Sequence, residues 1–180
     1  IPYRASQAYG LISKGILRGL RLIGVSADNY VGTYDTTRPE ICFLRPAWGE
    51  IVYRGKKFVG NAQAWSGETL LQHGSIAVEP QIDCLTELFR PIDCPVEKFR
   101  NDMAARITSI QEILGNAVNV VEVRKALILG IGRALGVTFE AGELTGEEVR
   151  LAQDLASATP DRLVHGTRKR VISMAKGKMQ

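Results

Sequence analysis

From Glu50 to Glu79 the chain is cut into short segments that leave little choice of pairing. Glu50–Arg54, Lys57–Gln63 and Gly74–Glu79 alternate or run apolar, with Gly55 at the first break and Ser66-Gly67-Glu68 at the second. Strands joined by connections this short pair antiparallel, so the pattern predicts a three-stranded meander. Successive strand residues point to opposite faces. Lys57, Val59, Asn61 and Gln63 therefore share one face, expected to line a site, while Phe58, Gly60 and Ala62 share the other, expected to pack.

The flanks read as helix. Leu11, Ile12, Ile16, Leu17, Leu20 and Ile23 mark one face of a helix over 6–23, interrupted by Gly10, Gly15 and Gly19. Each glycine costs about 1 kcal/mol relative to alanine, so something must pack close against this helix. Residues 26–40 read as loop with a short strand near Tyr30–Val31. Short helices are expected at 83–89, 95–103 and from Thr108 to Leu114. Asn119 with Glu122 starts a longer one, ended by Gly136, whose stripe is Val123, Leu127, Ile128, Ile131 and Leu135. Val137–Glu140 reads as a short strand, and Thr145 with Glu148 starts a last helix to about Ser157. From about residue 105 onward the chain is expected to form a small α-rich appendage separate from the sheet.

Composition excludes several classes of function. The net charge of +4 is concentrated in residues 161–180, which hold six Lys or Arg against Asp161. The remainder is close to neutral, with no basic face interleaved with aromatics, so nucleic acid is not an expected partner. No apolar run reaches the length of a membrane span. Cys42, Cys84 and Cys94 are odd in number and lack metal-ligand spacing, which argues against a disulfide framework or a zinc site and for a reducing, cytoplasmic setting.

Two of these residues suggest chemistry. Cys42 is followed fifteen positions later by Lys57, with the first hairpin between them. An ammonium close to a thiol stabilises the thiolate and makes it a nucleophile and acyl acceptor at neutral pH. Each residue also has a plain reading: Cys42, between Ile41 and Phe43, suits a buried filler, and Lys56-Lys57 after Gly55 suits an exposed hairpin tip. Gly60-Asn61-Ala62 brings small side chains and accessible amides suited to a ligand carbonyl or phosphate. His73-Gly74-Ser75 could position a polar ligand or serve the strand alone.

The wider motifs resemble the biotin/lipoate protein ligase superfamily, and within it the cysteine/lysine octanoyltransferases. The resemblance rests on Cys42-Phe43-Leu44-Arg45-Pro46-Ala47-Trp48-Gly49-Glu50, on Gly55-Lys56-Lys57-Phe58-Val59-Gly60-Asn61-Ala62-Gln63, and on Leu71-Gln72-His73-Gly74-Ser75-Ile76. It covers about residues 3–158. It implies an enzyme in which Cys42 takes octanoate as a thioester from acyl carrier protein, with Lys57 lowering the thiol pKa. The acyl group then passes to a lysine of a lipoyl-domain protein such as glycine cleavage H protein, without ATP. Gly60, Asn61, Ala62, Gln63, His73, Gly74 and Ser75 are then expected to bind the acyl group or an acyl-adenylate, and no metal is expected for the transferase.

Ala47, Gly49 and Asn61 depart from the residues usual in the family. Relatives also carry an N-terminal half with several strands and a glycine-rich loop. The expected fold is α+β: a mixed, largely antiparallel sheet flanked by helices, forming half of a lipoate ligase-like domain over 1–104. The α-rich appendage over 105–160 and a basic tail over 161–180 follow. The missing half is expected from the same gene product or from a separate chain. Three alternatives stay open: a split or cleaved lipoate–protein ligase using ATP and Mg, an amidotransferase moving lipoate between carriers, and a non-catalytic subunit docking a lipoyl domain.

Overall fold

The computed structural model describes residues 5–32, 49–89 and 94–158, and in it the meander is the greater part of a four-stranded antiparallel sheet. The strands β1 (Asp28–Asn29), β2 (Ile51–Tyr53), β3 (Lys56–Ser66) and β4 (Thr69–Ile76) lie in chain order. Six helices accompany them among the described residues: α1 (Ala5–Leu22), α2 (Ile82–Leu88), α3 (Val96–Ala104), α4 (Ile110–Leu114), α5 (Val120–Leu135) and α6 (Gly146–Ala158). The fold is α+β, as the pattern predicted.

Tyr53 pairs with Lys56 across a two-residue loop. Arg54 and Gly55 take φ of 50° and 79° there, the left-handed pair whose twist matches that of the flanking strands. The second loop joins Ser66 to Thr69 through Gly67, so β3 and β4 reach farther than the alternation suggested. Their register runs unbroken from Val59 opposite Ile76 to Ser66 opposite Thr69. The strand expected near Tyr30–Val31 lies at Asp28–Asn29, where it pairs with β2.

The interrupted helix over 5–22 forms, and its glycines meet the close neighbour they required. A Cβ on Gly15 would stand 2.7 Å from Ile131 Cα, and one on Gly19 2.8 Å from the Ala126 carbonyl oxygen, both on α5. Of the stripe expected on α5, Val123, Leu127 and Ile131 do pack against the core, and the rest is corrected. Val123, Ala126, Gly130 and Gly132 are its buried residues, whereas Ile128 is 45% exposed, because close backbone approach selects small residues over large ones. Arg18 of α1 adds a hydrogen bond of 3.1 Å to the Arg133 carbonyl in the last turn of α5.

The boundary expected after residue 104 is also corrected. The Lys57 N–H donates to Arg106 O (2.8 Å) and Thr108 N–H to Lys57 O (3.1 Å), while Ile110 N–H reaches Ala77 O at 2.9 Å. Ile110 and Val123 share one core with Ile12, Ile16, Leu20, Ile51, Phe58 and Val59. The first compact unit is Ile1–Phe139 and the second is Glu140–Gln180. Helical periodicity tells which face is buried, not which element buries it. Met103 and Ile107 form a smaller cluster with Ile82, Leu85 and Phe99 of α2 and α3.

Val137–Glu140 is not a strand. Gly136 takes the left-handed conformation that ends α5, and Val137 N–H is used on Gly132 O at 3.0 Å. In the second unit, α6 opens on the expected reciprocal cap: Thr145 N–H donates to Glu148 Oε2 (2.7 Å) and Glu148 N–H to Thr145 Oγ1 (3.2 Å).

Candidate functional site

Lys57 does not sit at an exposed hairpin tip. It is 4% exposed, and its Nζ lies 2.9 Å from Glu50 Oε1 and 2.7 Å from Oε2. The two meet because Glu50 leads directly into β2 and the two-residue loop folds β3 back beside it, with Val52 opposite Lys57. A register shift between Ile51 and Val52 alters the aim of the preceding residues, as bulges do. The Lys57 backbone is held by Arg106 and Thr108, and its neighbour Lys56 points away to Ala104 O at 2.6 Å. The two consecutive lysines thus have different duties. One ties β3 to the end of α3, and the other carries a buried charge.

Tyr9 of α1 stands beside this pair. Burial first, and then the Glu50 carboxylate, push its phenol up to about 12, while the neighbouring Asn61 side chain acts in the opposite direction. A neutral phenol is what such a setting selects near neutral pH. Gly49, with φ of +83°, leaves room for the ring, since a Cβ there would lie 3.1 Å from Tyr9 Cε1.

Asn61 and Gln63 follow Lys57 on the same face of β3, under the first turns of α1. With its amide oriented to satisfy both neighbours, Gln63 donates to Ala5 O and accepts from Tyr9 N–H, each at 3.1 Å. Asn61 Nδ2 is buried without a hydrogen-bond partner. Its Oδ1 lies over Gly74, directly opposite across the β3–β4 pair, where any Cβ would collide with it. An orphaned buried donor costs about 1–3 kcal/mol and so calls for an acceptor.

Of the other expected residues, Gly74 shares the Asn61 face, while Gly60, Ala62, His73 and Ser75 are on the opposite one. Gly60 pairs with Ser75 and Ala62 with His73, and Ala62, His73 and Ser75 are exposed. The structure therefore gathers Lys57, Asn61 and Gln63 with Tyr9 and Glu50. It does not bring His73 or Ser75 to them. Cys42 lies outside the described residues. Cys84 is exposed and Cys94 partly exposed, both as free thiols. Among the described residues no group of three or more His, Cys, Asp or Glu is placed to hold a metal ion. An apolar groove of about 290 Å³ runs between Ile76 and Val78 and the α5 side chains Val123, Leu127 and Ile131. It is lined by none of the expected site residues.

Sequence reasoning had Glu50 inside a quoted motif without giving it a part, and it overlooked Tyr9. A signal for Glu50 was present: between positions 41 and 67 it is the only acidic residue, and a lysine buried on a strand needs one.

A comparison with protein-family models matches residues 3–132 to the lipoyl protein ligase A/B catalytic domain. The chain belongs to that family. Among lipoyl protein ligase A/B relatives, octanoyltransferase LipM of Kyrpidia tusciae is 35% identical over 162 residues, covering 86% of this chain and 59% of that protein. The chain thus spans about three fifths of that relative's length. A solved bi-partite lipoate protein ligase from Thermoplasma acidophilum, studied with its E2 lipoyl domain, superposes with a TM-score of 0.70 at 21% identity, over 95% of this chain and 62% of that one. Lipoate-protein ligase A bound with ATP gives a TM-score of 0.68 at 22% identity, over 87% of this chain and 57% of that one. The family's fold, a sheet with flanking helices, is the fold seen here.

Proposed function

We propose that this chain is part of an acyltransferase of protein lipoylation that carries an octanoyl or lipoyl group on Cys42 as a thioester and delivers it to a lysine of a lipoyl domain. The observation that carries the reading is the buried Lys57 ammonium, held by Glu50 on a strand fifteen positions after Cys42. A cation fixed in a site of low exposure acts strongly on a nearby thiolate, because little water screens it. The LipM relatives and the motifs around Cys42 and Lys57 support the same assignment.

The chemistry balances without a nucleotide. The Cys42 thiolate attacks the carbonyl of a carrier thioester, the C–S bond to the carrier breaks, and the carrier thiolate leaves with the electron pair. The acceptor amine then attacks the acyl-Cys42 carbonyl, an amide forms, and the Cys42 thiolate is expelled as the amine loses its proton. Lys57 stabilises that thiolate before the first step and on its release in the second. Asn61 Nδ2 offers its unused hydrogen to an acyl carbonyl oxygen. Gly60, Ala62, Gln63, His73, Gly74 and Ser75 remain assigned to the acyl-binding strands, with His73 and Ser75 on the face away from Lys57. Acyl carrier protein is the donor and a lipoyl domain such as glycine cleavage H protein the acceptor, in the cytoplasm. The remaining two fifths of the catalytic protein come from the same gene product or a separate chain.

The solved ATP-bound neighbour keeps a second reading in view: a split ligase, in which Lys57 would contact an acyl-adenylate and ATP with Mg would supply the activation. The deciding assay follows pyrophosphate and product together. Acyl transfer from octanoyl carrier protein without ATP supports the transferase; pyrophosphate release dependent on octanoate or lipoate replaces it with the ligase.

A further inference from the structure

We propose that Glu50 is the positioning residue for the Lys57 ammonium, a role that rests on the thioester reading above. Glu50 is 8% exposed, and its two oxygens lie 2.9 and 2.7 Å from Lys57 Nζ, so both oxygens of the carboxylate contact the ammonium. An ammonium this deep has lost most of its hydration, and a carboxylate in contact replaces part of it. The groups facing the pair among the described residues fit this division of labour. Tyr9 approaches from α1 as a neutral phenol, kept so by burial and by the same carboxylate, and Asn61 approaches from β3 through Tyr9. Neither competes with Lys57 as a second cation or with Glu50 as a second anion. The carboxylate is placed by Gly49, whose φ of +83° turns the chain under the Tyr9 ring into β2.

The sign of one experiment separates positioning from screening. If the ammonium stays where it is without Glu50, removing a nearby negative charge makes a thiolate easier to form, and Cys42 reacts at lower pH. If Glu50 holds the ammonium in place, removing it lets the cation move away from the thiolate, and Cys42 reacts at higher pH.

The test is the pH dependence of Cys42 alkylation by iodoacetamide, followed by peptide mass spectrometry so that Cys84 and Cys94 are scored separately, in the complete enzyme. Glu50→Gln is expected to raise the Cys42 midpoint by about one pH unit, in the same direction as Lys57→Met. Glu50→Asp, which keeps the charge but withdraws it by one carbon, should fall between Gln and the parent and fold even if Gln does not. A downward shift in Glu50→Gln, or midpoints unchanged in both Glu50 variants while Lys57→Met shifts, overturns the proposal. If Lys57→Met also leaves the midpoint unchanged, the Lys57–Cys42 reading itself fails and takes this proposal with it.

Discussion

Gly19 of α1 and Gly130 of α5 meet with no space for a side chain between them: a Cβ on Gly130 would stand 2.6 Å from Gly19 Cα. This contact joins the first helix of the chain to one more than a hundred residues later. It makes α5 part of the same unit as the sheet.

Gly130→Ala must therefore push the two helices apart. Alanine's better helix propensity returns about 1 kcal/mol, but overpacking against backbone atoms that cannot rotate away costs more, giving a net loss of about 1–3 kcal/mol. Gly10→Ala on α1 is the control, since nothing lies within 4 Å of its Cβ position, and it should be neutral or stabilising by up to about 1 kcal/mol. Urea unfolding of both variants measures the contrast.

The buried ion pair predicts non-additivity. Lys57→Met alone removes the ammonium in contact with the buried Glu50 carboxylate and should cost about 3 kcal/mol, as should Glu50→Leu alone. The double variant removes both charges and should cost much less than the sum of the two. Denaturation midpoints of the three proteins complete the cycle.

Two titrations follow from local geometry. Tyr9, raised to about 12 by burial and by Glu50, should ionise above the ordinary tyrosine value of 10.0 in an ultraviolet difference titration. Its folded-state value lies above the unfolded value of 10, so its contribution to stability is complete below pH 10 and lost as pH rises toward 12. Tyr9→Phe should remove that alkaline loss.

Glu148 behaves in the opposite sense. Hydrogen bonds from the Thr145 backbone and side chain hold its carboxyl below the usual glutamate value of 4.5. The cap of α6 is therefore complete above pH 4.5 and is lost as pH falls through the lower folded-state value. Carboxyl chemical shifts followed against pH should show Glu148 titrating below ordinary glutamates, and Thr145→Ala should return it toward 4.5.

Much of this molecule was legible in order of residues alone, and the failures share a cause. Gly55 and Gly67 announced their hairpins, Asn119 and Gly136 bounded α5, and the glycines of α1 announced a close neighbour without naming it. Local rules cannot say which distant element fills a vacancy, so the stretch up to residue 139 was read as part of an appendage over 105–160. Val137–Glu140 has strand-like composition, yet Val137 N–H is already used on the end of α5. Strand alternation put Lys57, Val59, Asn61 and Gln63 on one site-lining face, yet Val59 is in the core beside Phe58, Ala62 is exposed where packing was expected, and a register shift interrupts the alternation between β2 and β3. Alternation could not reveal that α1 would bring Tyr9 over that face, nor that His73 and Ser75 would face the other way.

The account turns on an acyl group passing through one sulfur. The direct measurement is intact and peptide mass spectrometry of the complete enzyme after mixing with octanoyl carrier protein, before and after adding a lipoyl domain. An octanoyl increment on the Cys42 peptide, labile to hydroxylamine, absent in Cys42→Ala and discharged onto the lipoyl domain, is the predicted result. Undiminished transfer by Cys42→Ala would contradict it.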